Sequence, residues 1–288
     1  MSINRERLGA SYGPVHLTVD ADRIAAYADA TADPLPLYRG RNAVAPPAFA
    51  VVPVWSAIQQ AIADDELGID IGRIVHGEQR MAFHRLIRAG DELTSVGSLS
   101  SITERGENEV FILTFETRDA AGSLVTTQEV VCVSRGTAAS KPAQAGSQPV
   151  PATSSSGEER EPDLVRGVDL PDDITFRYAS ASGDDNRIHV DDEFARSVGL
   201  PGIIVQGMCL FSIALQAVLG AAGGGRPERV GSATVRFRRP LRPGSTFETS
   251  VYADGDETRF EGRGRDGQVV LTGTAAIVGD EPSKLASS

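Results

Sequence analysis

The sequence predicts an α+β protein in which one domain fold occurs twice. Three observations support this prediction: a polar segment near the middle of the 288 residues, similarity between the halves on either side of it, and the same order of helices and strands in each half. The central segment, 136–163, is rich in Ser, Ala, Pro and Gly and almost without large apolar residues. It cannot bury enough surface to offset the entropy of ordering it, so we predict a flexible linker.

The two halves share two ungapped matches. Tyr27–Tyr38 aligns with Tyr178–His189, and Met81–Leu93 aligns with Val235–Phe247. The offsets of the two matches are nearly equal, as expected for two copies of one domain with small differences in loop length. The predicted units are domains at 1–135 and 164–280, a linker at 136–163 and a tail at 281–288.

Each half gives the same order of elements. An early helix that contains a tyrosine, at 20–31 and again at 175–182, precedes a second helix that is apolar on nearly all sides. The second helix is PPAFAVVPVWSAIQQAI in the first half and QGMCLFSIALQAVLG in the second. Consecutive strands follow, so we predict in each half an antiparallel sheet wrapped around a long apolar helix. The predicted strands are 79–83, 92–102, 109–117 and 124–133, and then 232–238, 246–254, 258–264 and 269–278.

Composition and charge argue against several classes of function. The net charge of −11 disfavours nonspecific binding to nucleic acid, which depends on clustered Lys and Arg. The longest apolar run, Met208–Leu219, is interrupted by Ser212 and Gln216 and is shorter than the roughly 20 residues that cross a bilayer, so we expect no membrane span. The polar N-terminus lacks the apolar core of a secretory signal, and we therefore expect a cytoplasmic protein.

The cysteines and histidines give no sign of a metal site. Cys132 and Cys209 lie in apolar surroundings without CxxC spacing, and we expect both to be buried packing residues in a reducing compartment. The four histidines are His16, His76, His84 and His189. They are scattered without the spacing of metal ligands, so no metal cofactor is expected.

The stretch GDDNRIH, Gly183 to His189, combines acids, an amide and an imidazole. A histidine can exist in either protonation state near neutral pH, and a carboxylate on the same curved loop can favour the required state. One interpretation is therefore an acid-base site formed by Asp184 and His189. The alternative is an exposed turn before the next short helix, with Asp191 or Asp192 as its N-cap.

The same stretch resembles a known family. Gly183, Asp184, Asn186 and His189, a Gly-Met step at the start of an apolar helix, and the pattern Phe237-x-x-Pro240-x-x-x-Gly244 are similar to the MaoC-like dehydratase family of (R)-specific enoyl-CoA hydratases. The resemblance covers most of 175–278, and 15–134 resembles a degenerate N-terminal copy. It implies a double hot-dog fold, reversible addition of water to a trans-2-enoyl thioester, and no cofactor apart from the coenzyme A of the substrate.

The resemblance also implies a role for each residue of the motif. Asp184 and His189 would be the catalytic pair, with Asn186 as a supporting polar residue. Gly207, at the head of the apolar helix, would offer the backbone N–H that binds the thioester oxygen. An enolate oxygen is stabilised at such a position because unpaired N–H groups and the positive end of the helix dipole meet there.

Two positions depart from the pattern of the family. Arg187 stands where members usually have proline, so the loop lacks a residue that fixes φ at this point. Gln206 stands where members usually have histidine. This second change matters less, because the expected donor is the backbone N–H of the following residue.

The first half provides an internal comparison. It has Asp33, Leu35 and Tyr38 at the positions that match the acid, the amide and the imidazole, and it is therefore expected to be catalytically silent. Its apolar helix would either supply a wall for the acyl chain or belong only to the core. The residues in question are Phe49, Val51, Val52, Val54 and Trp55.

A group of arginines in the second half could meet the phosphates of coenzyme A. Alternate residues of a strand point to opposite faces, so not all of the group can do so. The group comprises Arg236, Arg238, Arg239 and Arg242.

The leading hypothesis is an (R)-specific enoyl-CoA hydratase or dehydratase with one active site in the second half. Two alternatives stay open: a thioesterase on the same fold, and a noncatalytic subunit that binds acyl thioesters. The expected partner is an acyl-CoA thioester, with neither nucleic acid nor a membrane. Two such chains could also associate as a homodimer.

Overall fold

The computed structural model describes residues 2–136, 160–255 and 257–279. The predicted tail and most of the predicted linker lie outside these ranges. The strands are β1 (Ser11–Thr18), β2 (Ile74–Phe83), β3 (Glu92–Arg105), β4 (Asn108–Asp119), β5 (Leu124–Ser134), β6 (Leu164–Asp169), β7 (Val230–Phe237), β8 (Thr246–Asp254), β9 (Glu257–Gly264) and β10 (Val269–Ile277). The α-helices are α1 (Ala21–Ala30), α2 (Trp55–Ile62), α3 (Ile174–Ser182), α4 (Arg187–Val190), α5 (Asp192–Ser197) and α6 (Gly207–Val218).

The described strands form one ten-stranded antiparallel sheet in the order β1-β3-β4-β5-β2-β7-β10-β9-β8-β6. Read from each edge towards the centre, the two halves have the same topology, with the first strand of each half at an edge and β2 and β7 in the middle. The α+β class and the repetition of one fold are therefore confirmed. Gly90 and Gly244, which the alignment matches, both adopt positive φ at the corresponding turn.

The two halves meet along the antiparallel pairing of β2 with β7, in which Arg80 lies opposite Thr234 and Glu78 lies opposite Arg236. The Glu78 carboxylate crosses this seam: Oε1 lies 2.5 Å from Arg80 Nε and Oε2 lies 2.6 Å from Arg236 Nε. Burial alone would raise the pKa of Glu78, but the hydrogen bonds from Arg236 and Arg80 outweigh burial and hold the pKa below its usual value. An ion-paired carboxylate therefore joins the halves.

Helices α1 and α3, one from each half, pack against each other. The Tyr27 and Tyr178 hydroxyls lie 3.3 Å apart, and both rings are fully buried. The Tyr27 ring also meets Phe49 edge to face, with centroids 5.2 Å apart. The tyrosines that the sequence alignment matches thus contact each other at the centre of the molecule.

The central helix differs between the halves. In the second half, α6 is continuous and all residues after Gly207 are buried, as its sequence predicts. In the first half, the predicted long helix is a 3-10 segment, Pro47–Val54, followed by the short α2. The proline at position 53 explains the difference, because its ring lacks an N–H and is incompatible with a regular α-helix interior. The expectation of one long apolar helix in each half was therefore wrong for the first half.

The predicted strands are confirmed, with shifts of at most a few residues at most ends, but β2 begins at Ile74 rather than residue 79. Two edge strands, β1 and β6, were missed. Strand β1 contains Gly13 and Pro14 and has an irregular pairing with β3 between Tyr12 and Val15. Strand β6 is short and half exposed, without a fully buried residue. Edge strands of this kind carry a weak alternating pattern, which accounts for the omission.

Replacing Glu78 with Gln should destabilise the protein by about 1–2 kcal/mol at neutral pH, because two charge-assisted hydrogen bonds are lost at a largely buried carboxylate while both arginines stay partly solvated. A carboxylate with a lowered folded-state pKa stabilises the fold above its unfolded pKa, near roughly 4.3, and this contribution is lost as pH falls through the folded pKa. The difference in Tm between Glu78→Gln and wild type should therefore become smaller at acidic pH. Glu116→Gln, which breaks an exposed pair with Arg118, is the control and should change Tm little; equal effects of both variants would contradict the prediction.

Candidate functional site

The candidate site begins where α3 ends. Gly183 is the C-cap of α3 and adopts a left-handed conformation with φ of 93°, which glycine reaches without the strain of a side chain. A Cβ at this position would lie 3.3 Å from Trp55 Cδ1, so the first half packs closely on the turn. The turn directs the next residue, Asp184, into the protein, where the residue is only 8% exposed.

The short helix α4 returns the chain towards Asp184. Asn186 is its N-cap, and Asn186 Oδ1 accepts a hydrogen bond of 3.3 Å from the Ile188 N–H. The single turn that follows brings His189 Nε2 to 3.9 Å from Asp184 Oδ2. His189 is 7% exposed, so the acid and the imidazole face each other in a nearly dry environment. The structure thus brings together the two residues that the sequence singled out.

The other ring nitrogen of His189 fixes the tautomer. His189 Nδ1 lies 2.7 Å from the carbonyl oxygen of Ile204. A carbonyl oxygen can only accept a hydrogen bond, so Nδ1 carries the hydrogen. In the neutral ring, Nε2 therefore presents a lone pair towards Asp184.

Burial is the main influence on the acid. It raises the pKa of Asp184 above the usual value of an aspartic acid, and the charge of His189 lowers it by a smaller amount. The carboxyl group receives little other support, since the Asn186 N–H approaches Oδ1 only to 3.4 Å. Burial without strong hydrogen-bond donors therefore favours the protonated form of Asp184 relative to an aspartic acid in water.

Gln206 connects this loop to the start of α6. Its side-chain Nε2 donates to the carbonyl oxygens of Thr175, at 2.9 Å, and of Asp184, at 3.2 Å. The next residue, Gly207, is the first residue of α6, and its N–H has no acceptor within the described parts of the chain. A Cβ on Gly207 would lie 2.8 Å from the Phe237 ring, so the close packing requires glycine. The buried Gln206 side chain thus links the backbone of Asp184 to the start of α6, where the Gly207 N–H is free.

The alternative interpretation, an exposed turn, is correct only for the second part of the stretch. Asp191 is the N-cap of α5, and its Oδ1 accepts a hydrogen bond of 2.9 Å from the Phe194 N–H. Asp185 is exposed, and Gln59 Nε2 approaches Asp185 Oδ1 to 3.4 Å. Asp184 and His189, by contrast, are buried.

The arginines of the second half have different surroundings, although all are exposed. Arg236 forms the ion pair with Glu78 at the seam, and Arg239 Nη1 donates to Gln268 Oε1. The Arg238 guanidinium has neither a hydrogen-bond partner nor an ion-pair partner among the residues that the structure describes. A role of these arginines in binding coenzyme A stays a prediction.

The first half has the same hydrogen bond from a backbone N–H to an aspartate but lacks the imidazole. Asp33 Oδ1 accepts a hydrogen bond from the Leu35 N–H at 3.2 Å, as Asp184 does from the matching amide. Asp33 is 2% exposed, and burial raises its pKa. The matching imidazole is replaced by Tyr38, whose hydroxyl is buried and has no hydrogen-bond partner in the described regions.

A cleft of about 290 Å³ lies between the halves beside the loop that follows α3. Val52 and Trp55 line it on one side, and Gly183 and Asp185 on the other. Asp184, His189 and Gly207 are not among its lining residues. Of the apolar residues expected to line an acyl chain, Phe49 and Val54 are fully buried core residues, whereas Val52 and Trp55 reach the cleft.

Within the described residues, no cluster of three or more His, Cys, Asp or Glu side chains is arranged to hold a metal ion. The same regions contain no helix with the length and hydropathy needed to cross a membrane. Both cysteines are buried and free, as predicted, and burial raises the pKa of Cys132 to about 12.

Sequence reasoning missed several groups that form the site. The Ile204 carbonyl oxygen leaves no trace in a sequence because every residue has one. Arg23 donates hydrogen bonds to the backbone carbonyl oxygens of Ala181 and Ser182 from a position far away in the chain. One indication of this role is visible in the sequence: Arg23 is a charged residue on α1, the helix that the alignment matches to α3.

Each half of the chain matches a known family of dehydratase domains. The family described as "MaoC like domain" matches residues 152–274, and the family described as "FAS1-like, dehydratase domain region" matches residues 6–128. Together these matches cover most of the described chain.

Two relatives are informative. A UPF0336 protein of Thermobifida fusca is 37% identical over 150 residues, which cover 49% of this chain and 99% of that protein. The 3-hydroxyacyl-thioester dehydratase Y of Mycobacterium tuberculosis is 30% identical over 183 residues, which cover 62% of this chain and 61% of that enzyme. The match therefore spans less than two thirds of the dehydratase.

Solved structures show the same fold. A MaoC-like dehydratase from Phytophthora capsici superposes with a TM-score of 0.82 at 21% identity, over 96% of this chain and 99% of that chain. The peroxisomal multifunctional enzyme type 2 of Drosophila melanogaster superposes with a TM-score of 0.76 at 20% identity, over 93% of this chain. This chain spans about half of that enzyme, or 48% of its length. The predicted double hot-dog fold is confirmed.

Replacing Asp184 with Asn should raise the stability of the protein at neutral pH. A buried acid with a raised folded-state pKa stabilises the fold only when protonated, and this contribution is lost as pH rises from its unfolded pKa, near roughly 3.9, through the folded pKa. The amide avoids this loss because it does not ionise. Thermal unfolding across pH should show a higher Tm for Asp184→Asn near pH 7 and convergence with wild type in acid. The exposed neighbour serves as control, since Asp185→Asn should follow wild type throughout; a lower Tm for Asp184→Asn at every pH would refute the account.

Proposed function

The chain belongs to the MaoC-like dehydratase family, and from this premise we propose that it catalyses reversible hydration of a trans-2-enoyl thioester to an (R)-3-hydroxyacyl thioester. The reaction occurs at a single site in the second half. The observation that carries the proposal is the buried pair of Asp184 and His189, with His189 Nε2 3.9 Å from Asp184 Oδ2.

The distance between Asp184 and His189 allows both side chains to contact one water molecule. A distance of 3.9 Å is too long for a direct hydrogen bond, but both groups can reach an oxygen held between them. The neutral imidazole offers the Nε2 lone pair as a base, since the Ile204 carbonyl oxygen holds the hydrogen on Nδ1. The raised pKa of Asp184 favours the carboxylic acid, which can donate a proton.

In the hydration direction, His189 Nε2 takes a proton from water as the water oxygen attacks C3. The electrons of the double bond move towards the thioester oxygen, giving an enolate. The carboxylic acid of Asp184 then gives its proton to C2 as the enolate collapses. The pair is left as imidazolium and carboxylate, and transfer of one proton from His189 to Asp184 restores the starting state. Dehydration follows the same steps in reverse.

The enolate oxygen binds at the start of α6. The Gly207 N–H is free of acceptors within the described residues and lies at the positive end of the helix dipole. In other enzymes, removal of one such donor costs about 3–4 kcal/mol of transition-state stabilisation. The close contact between Gly207 and the Phe237 ring keeps this amide in place.

The thioester carrier is coenzyme A in this proposal. Arg238 is exposed and is proposed to meet a phosphate, because Arg236 is paired with Glu78 and Arg239 donates to Gln268. We infer that Val52 and Trp55 of the first half, which line the cleft beside Gly183, contact the acyl part of the substrate.

The decisive experiment follows two signals during incubation with a short and a long trans-2-enoyl-CoA. Hydration removes the absorbance of the conjugated enoyl thioester without releasing a thiol, and chiral analysis identifies the (R)-3-hydroxyacyl product. Release of free coenzyme A would instead identify a thioesterase. Absence of both signals at enzyme concentrations that bind the substrate would identify a noncatalytic acyl-thioester-binding protein.

Asp184→Asn and His189→Gln should each lower kcat/KM by at least about 100-fold, because each variant removes one partner of the proton transfer. Circular dichroism should show an unchanged fold for both. Tyr38→Phe alters the matching position of the first half and should keep kcat/KM within about twofold of wild type. Similar losses in all three variants would disprove a single active site.

A further inference from the structure

Arg23 of the first half reaches the end of the helix that precedes the catalytic loop. Its Nε donates to the Ala181 carbonyl oxygen at 2.9 Å, and its Nη2 donates to the Ser182 carbonyl oxygen at 3.1 Å. These carbonyls belong to the last turn of α3, immediately before Gly183 and Asp184. The arginine lies on α1, so the contact joins the two halves beside the site.

The contact satisfies two requirements of a helix end. The last carbonyl groups of a helix lack partners within the helix, and the end carries a partial negative charge. A guanidinium fork can bind two adjacent carbonyls and place a positive charge there. No carboxylate among the described residues pairs with Arg23, and burial lowers its pKa, so the carbonyls are its polar partners.

The same residues set the position of the catalytic acid. Ser182 Oγ donates to the Tyr178 carbonyl oxygen at 2.7 Å and accepts from the Asp184 N–H at 3.1 Å. Arg23 holds the carbonyl of this serine, and a hydrogen bond from the Gly183 N–H to the Ala179 carbonyl oxygen closes the turn at 2.8 Å. The backbone on the N-terminal side of Asp184 is thus fixed from both halves.

We propose that Arg23 is a positioning residue for the catalytic loop, supplied by the half that has no acid and imidazole pair of its own. This inference rests on the proposed hydration at Asp184 and His189. Arg23 acts without contacting Asp184 or His189. It acts by fixing the carbonyls of Ala181 and Ser182, which determine where the loop leaves α3.

The same helix pair offers a matched control. Arg177 of α3 donates from Nη2 to the Asp29 carbonyl oxygen at 3.1 Å, near the end of α1. Arg177 and Arg23 thus make reciprocal arginine-to-carbonyl contacts between the same two helices. Only the contact of Arg23 lies next to the catalytic loop, so Arg177→Ala removes a similar side chain without touching that loop.

Arg23→Ala should lower kcat by roughly 10- to 100-fold, because small displacements of a catalytic group have effects of this size. KM should stay within about threefold of wild type, since substrate binding is retained. Arg177→Ala should keep kcat within about twofold. Arg23→Lys keeps the charge but not the fork, so it should show a smaller loss of kcat, and it serves as the test variant if Arg23→Ala does not fold.

Arg23 lines the cleft, so added guanidinium ion can reach the space left by the truncated side chain. Millimolar guanidinium should restore part of the lost kcat in Arg23→Ala and should leave wild type and Arg177→Ala unchanged. A purely structural role would give equal losses of kcat in Arg23→Ala and Arg177→Ala, and no rescue. A large rise in KM at unchanged kcat would mean that Arg23 binds substrate. Either result overturns the proposal.

Amide hydrogen exchange gives a readout that does not require activity. The Asp184 N–H, which is bonded to Ser182 Oγ, should exchange faster in Arg23→Ala than in wild type and Arg177→Ala. If wild type lacks hydratase activity but this difference in exchange is present, the proposed function fails and the loop-positioning contact stands. Equal exchange in all three proteins rejects the contact as a positioning device.

Discussion

The hydrogen bond from His189 Nδ1 to the Ile204 carbonyl oxygen is the interaction on which the site depends. At 2.7 Å it fixes both the tautomer and the orientation of the ring. The lone pair of Nε2 then faces Asp184 in a buried environment, where the raised pKa of the acid favours the protonated form. Without this bond, the ring could present a hydrogen to Asp184 instead, and the proposed hydration would lack its base.

The two halves of the duplicated fold share a framework but differ in the side chains around the matching loop. Both halves keep the buried tyrosine and the loop in which an aspartate accepts a backbone N–H. Only the second half has the imidazole and a continuous central helix that begins with a free amide. The first half contributes the seam through Glu78 and the cleft wall at Trp55. Burying a poorly supported acid costs stability, which a large shared sheet and core can offset.

The features that depend on local sequence patterns could be predicted. Paired repeats, most strands, the N-cap of α5 and the loop from Gly183 to His189 could all be read from residue types and spacing. Pro53 marks the break in the first apolar segment, where one long helix was predicted from the apolar pattern alone. The contacts of Ile204 and Arg23 could not be predicted, because they join backbone carbonyls to distant side chains and have no sequence signature.

The tautomer of His189 can be measured directly. Nitrogen-15 NMR of protein with labelled histidines, assigned by comparison with His189→Gln, distinguishes a ring nitrogen that carries a hydrogen from one that does not. We expect neutral His189 to carry its hydrogen on Nδ1 and to have no hydrogen on Nε2. A neutral ring with its hydrogen on Nε2 would contradict the account, because no lone pair would then face Asp184 to accept a proton from water.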